Sequence, residues 1–220
     1  MNCLTIHINQ LLRSGMFVAI CETKFRSSVG AKCLEKIEMN NNKLIKCHGC
    51  KAVIKNIDGP KHAYIGSDSG CWAVFCSVLA KEYTEYNELW RTHRLTVDTY
   101  AAQHPGNPGR KEIQSVFIHL TRLYLQLEKG LDGKRANAAM INISSYKEQY
   151  VWLDPVPDFT GIMNITHVAM AKNISEHKEA VELWAASVWQ AWSKHHDTIK
   201  YFVEHNKILT FERRRPVYGK

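Results

Sequence analysis

The chain reads as mainly α-helical: a helical bundle-like single domain with a small cysteine-bearing loop or β segment on its N-terminal side. Three observations carry this. Apolar residues recur at helical spacing in three long stretches, most clearly Ile113, Val116, Phe117, Leu120, Leu123, Tyr124 and Leu127. Helix punctuation brackets them, with Gly130 just past that stretch and a breaker run, His104-Pro105-Gly106-Asn107-Pro108-Gly109, before it. Strand and helix do not alternate as a parallel sheet would require. The expected count is four to six helices.

Taken in order, residues 1–38 lack sustained periodicity and read as a poorly ordered extension, or as an upstream start that is not used, since Met39 is a natural beginning. The domain is expected over 39–206. Its first segment holds Cys47-His48-Gly49-Cys50 in an extended or turn conformation, because β-branched Val53, Ile54 and Ile57 lead into the breaker Asp58-Gly59-Pro60. Ser67 or Asp68 caps a helix running to about Trp90. A short helix over Leu95–Gln103 stops at Pro105, and a strong one covers about 110–129. A weaker helix spans 134–150, Asp154-Pro155-Val156-Pro157-Asp158 is a rigid loop, and a short helix covers 165–171. Ser175 caps the longest helix, about 176–205. Residues 207–220 form a basic tail.

With 220 residues, 45% hydrophobic and 23% charged, the chain can bury one substantial core. The net charge of +8 invites a nucleic-acid reading. Much of it sits in Lys207, Arg213, Arg214, Arg215 and Lys220, opposed only by Glu212, and such a tail is an ordinary solvated end. Nucleic acid is therefore not the expected partner, which is instead a small molecule or another protein. No run approaches the roughly 20 apolar residues of a membrane span, and Met16–Cys21 lacks the flanks of a secretory signal. Seven cysteines, an odd number, fit free or metal-bound thiols in a reducing compartment, by default the cytoplasm.

Cys47 and Cys50 are the leading metal ligands. Cys-x2-Cys lets two thiolates reach one tetrahedral zinc from a tight turn. Two more ligands are needed, and Cys71, His48, His62, His93 and His104 are the candidates. Cys71 is favoured because the first turn of a helix stabilises a thiolate, and His104 is a further completion. A reducible dithiol or inert buried cysteines are the competing readings. The first of these lacks the strand–helix context of thioredoxin-like folds.

A second constellation holds candidate acid/base residues: Asp98, His104, His93 and His119. Their spacing does not share one helical face, so only folding through the Pro105–Gly109 loop brings them together. Each histidine has a structural alternative, His104 as a helix C-terminal group bonding free carbonyls and His119 as a core-edge residue. On the 68–90 helix Cys71, Phe75, Val78, Leu79, Tyr86 and Leu89 define the buried arc, and Glu82 falls inside it. On the last helix Val181, Trp184, Val188, Trp192, Ile199 and Phe202 form the stripe, with His195 and His196 within its width. Buried polar groups of this kind must pair, bind a metal or reach water. Trp184, Trp189 and Trp192 suit a stacking platform but are spaced as core.

The segments Cys47-x-x-Cys50, Gly70-Cys71-Trp72, Leu95-Thr96-Val97-Asp98-Thr99-Tyr100-Ala101-x-Gln103-His104-Pro105-Gly106 and Gln114-Ser115-Val116-x-x-His119-Leu120 resemble those of a bacterial family of uncharacterised proteins, a domain of unknown function. Trp184-Ala185-x-x-Val188-Trp189-x-Ala191-Trp192 fits too. The resemblance spans about residues 45–205, leaves out 1–38, and implies no activity, substrate or cofactor. The sequence therefore leads to two expectations. One is a zinc-binding helical protein whose ion staples its N-terminal loops to the bundle. The other is a metal-dependent or acid/base hydrolase-like enzyme acting on a small substrate through Asp98 and His104.

Overall fold

In the computed structural model, which describes residues 43–209, a two-stranded hairpin leans on a bundle of seven α-helices. Strands β1 (Leu44–Lys46) and β2 (Val53–Lys55) pair antiparallel with Ile45 opposite Ile54. The Cys47–Cys50 knuckle forms the tip that joins them. Alternation along β2 puts Ile54 into the core and leaves Val53 exposed. The extension at 1–38 and the tail beyond 209 lie outside the described residues. The chain stays packed to that point: Ile208 is buried and its carbonyl accepts from Asn142.

The helices are α1 (Ser69–Thr84), α2 (Tyr86–Gln103), α3 (Arg110–Leu127), α4 (Gly133–Ser144), α5 (Ile165–Ala169), α6 (Ile174–Ala191) and α7 (His196–His205). Two breaks differ from the sequence expectation. The helix expected from 68 to Trp90 ends at Thr84, and α2 starts immediately afterwards, absorbing the short helix expected over Leu95–Gln103. Glu85, with φ −100° and ψ 34°, is the hinge, and the change of direction carries Tyr86 out of the expected buried arc to 54% exposure. The helix expected over 176–205 is capped by Asn173, whose side chain accepts from the Glu176 amide, and it breaks at Trp192. A single 3₁₀ turn, Ser193–His195, redirects the chain into α7. These two breaks redistribute three expected helices into four.

The spine is α2, which packs against α6, α3, α1 and α4. From Thr96 to Gln103 every residue is buried, although half of them are polar. An all-round buried helix needs an internal partner for each polar side chain. Thr99 bonds back to the Leu95 carbonyl, while Gln103 donates to the Met163 carbonyl and accepts from the Trp184 indole N–H. Trp184, Trp189 and Trp192 are core residues, not an exposed platform. The Trp192 indole donates to the Ala102 carbonyl and that of Trp189 to Glu128. No helix among the described residues is long and apolar enough to cross a membrane.

Candidate metal centre

Four residues from three separate pieces of chain meet where the hairpin tip touches α1 and the C-terminal end of α2. Cys47 and Cys50 come from the knuckle, Cys71 from the first turn of α1, and His104 from the residue after α2. Their ligand atoms all lie within 4.8 Å of one another, and all four residues are buried. The knuckle is closed by the Lys51 amide bonding the Cys47 carbonyl and the Cys47 amide bonding the Ala52 carbonyl. Lys51 takes a left-handed φ of 62° to complete the turn. Gly49 is needed for a different reason: a Cβ there would lie 2.5 Å from His104 Cδ2 and 2.7 Å from the Gly66 carbonyl oxygen.

The helix stop positions His104. Pro105 cannot continue α2, Gly106 turns with φ +69°, and the Gly66 amide bonds the His104 carbonyl to hold this end beside the knuckle. His104 Nδ1–H donates to the Tyr100 carbonyl at 2.7 Å, and since a carbonyl only accepts, the neutral imidazole carries its lone pair on Nε2. That atom is 3.4 Å from Cys71 Sγ, while Cys50 Sγ and Cys71 Sγ are 3.7 Å apart. Zinc–sulfur bonds of about 2.3 Å in a tetrahedron separate sulfurs by about 3.8 Å, so the donor set fits such an ion. Around it, the Tyr100 hydroxyl donates to Cys71 Sγ at 3.5 Å, and the Tyr100 ring stacks on Phe75 at 3.9 Å. His48 points away: its side chain is 67% exposed, and its amide donates to Asp68, which also pairs with Lys61.

The electrostatics are those of a coupled cluster in which one thiol gives up its proton readily while its neighbours hold theirs. Hydrogen bonds from Cys50 and Cys71, aided by the His104 imidazole, hold the Cys47 thiol far below the usual range despite burial. Its neighbours Cys47 and Cys50, with burial, push Cys71 far up. Burial lowers the His104 value, yet Cys47 and Cys50 outweigh it and push it up to about 10. A cation in the centre replaces those protons.

The other predicted site residues are parted. Asp98 and His104 do not pair. Asp98 instead accepts from His119 Nδ1 at 2.7 Å and from Gln126 at 2.8 Å, with Arg122 Nη2 at 3.3 Å. His93 Nδ1 donates to Glu82 at 2.8 Å. Glu82 is fully buried, as its place in the apolar arc of α1 implied, and also accepts from Thr96 and from His177 Nε2 at 2.9 Å. His177 was missed in the sequence, although its spacing to Val181, Trp184 and Val188 on α6 was the available signal. His195 and His196 donate to the carbonyls of Pro155 and Trp189, a structural role for both.

Fold and site together define a helical protein with a buried Cys3His cluster able to hold a metal ion. The chain belongs to a family of unknown function, DUF5946, whose model matches residues 45–193. No curated protein and no solved structure matches it.

Proposed function

We propose that this chain is a structural zinc protein in which Cys47, Cys50, Cys71 and His104 bind one ion that staples the N-terminal hairpin to the bundle, so that function lies in the partner or small molecule the assembled surface binds. The observation that carries this reading is the closed donor set: four buried ligands from three chain segments, with their atoms within 4.8 Å. A catalytic zinc keeps an open position for water, whereas four protein ligands of the Cys3His type are the structural pattern. Thiolate ligands favour zinc over magnesium or calcium, which take oxygen donors. A reducing compartment such as the cytoplasm keeps such thiols available.

The test is elemental analysis of the full chain purified without a metal-affinity tag. About one zinc per chain is expected, with loss in both Cys47→Ser and Cys71→Ser. A metal-free wild type, or zinc kept by both variants, overturns the proposal. Because binding displaces protons from the thiols and from His104, zinc retention falls as pH is lowered, measurable with a chromophoric chelator between neutral and acid buffers.

A further inference from the structure

The contact between α3 and α2 at Asp98 lies outside the metal cluster and has a polarity of its own. Asp98 is fully buried and accepts at both oxygens, from His119 Nδ1 and from Gln126 Nε2. A carboxylate only accepts from such partners, so Nδ1 of His119 carries its proton and the lone pair is left on Nε2. That atom makes no hydrogen bond among the described residues and is not one of the sealed, unpartnered atoms, and the side chain is 11% exposed. Beside it, one helical turn on, Arg122 is 3% exposed and turned toward the same carboxylate, with Nη2 3.3 Å from Asp98 Oδ2. Arg122 thus serves as the third partner of Asp98 and helps to fix the carboxylate that faces His119. His93 is arranged similarly on Glu82, but Glu82 is shared with His177, and the Tyr83 ring lies 4.7 Å from that of His93.

The geometry points to His119 as a general base for hydrolysis of a small ester or thioester, with Asp98 as its positioning residue. Nε2 takes a proton from water as the water oxygen bonds to the acyl carbon. The bond to the leaving oxygen or sulfur then breaks, and the imidazolium returns the proton to the leaving group. Water and ester become acid and alcohol, and no electrons are exchanged. Asp98 fixes the tautomer that presents the lone pair, as buried carboxylates do for catalytic imidazoles.

The experiment uses the full chain with its metal bound and p-nitrophenyl acetate as probe. His119→Gln retains an amide donor for Asp98 and so protects the fold. It is expected to lower the hydrolysis rate about a hundredfold, the usual reach of a positioned base. Asp98→Asn lowers kcat with little change in KM, and metal content stays at the wild-type level in both. In parallel, diethylpyrocarbonate followed by peptide mass spectrometry is expected to modify His119 faster than His48, although His48 is 67% exposed. Equal ester hydrolysis by wild type and His119→Gln, or slower modification of His119 than of His48, overturns the inference.

Discussion

Glu82 shows how a single residue organises three helices. Its carboxylate, on α1, accepts from His93 and Thr96 of α2 and from His177 of α6. Burial pushes its pKa up, but the hydrogen bonds from His177 and His93, with that of Thr96, prevail and hold it below the usual carboxylate range. A depressed folded value means that the carboxylate contributes stability above its unfolded pKa of about 4.3, and that this is lost as pH falls through the folded value. Glu82→Gln is therefore expected to cost about 2–3 kcal/mol in urea denaturation at neutral pH. The gap to wild type should narrow when the pair is compared in increasingly acid buffers, and a gap that is constant with pH would remove the charge from the explanation. At this scale the sequence was partly readable. Glu82 stood in an apolar arc and demanded a partner, but that partner lies 95 positions away, and local periodicity says nothing about which α6 residue meets α1.

Among the elements, the contact of hairpin with α1 decides the metal cluster. Gly70, in the first turn of α1, has its Cα against β2: an added Cβ would lie 2.1 Å from the Lys55 carbonyl oxygen, a backbone atom that cannot move without shifting the strand. Gly70→Ala is expected to displace the hairpin and weaken zinc affinity at least about tenfold, roughly 1.4 kcal/mol, in chelator competition, although Gly70 is no ligand. Unchanged affinity would show that the hairpin is free to settle elsewhere. The knuckle, the helix start at Cys71 and the helix stop at His104 were each legible, because cysteine spacing, a first-turn position and Pro105 are local signals. The breaks at Glu85 and Trp192 were not. Apolar spacing continues through both, and it is packing of α2 and α7 on α3 that bends the chain there.

For the whole molecule, the ion and the hydrophobic core are expected to hold different regions. The bundle buries Trp72, Trp184, Trp192, Tyr100 and Tyr124 among other large side chains, whereas β1 and β2 have three residues each and, among the described residues, pair only with each other. An isolated two-stranded hairpin is marginal in water. Chelation should therefore raise amide hydrogen exchange across residues 43–68 while α2, α3 and α6 retain protection, as expected when a local unit opens alone. Uniform loss of protection would mean instead that the metal supports the entire fold. The sequence by itself determined the helical class, the position of the knuckle and the identity of every cluster ligand as a candidate, because these depend on periodicity, capping chemistry and short spacings. Only the tertiary structure decided which histidine joins the three cysteines and that Asp98 turns to His119 instead of His104. Those choices depend on how α2, buried on all sides, rotates its polar groups toward different neighbours, and no stretch of chain shorter than the whole bundle contains that information.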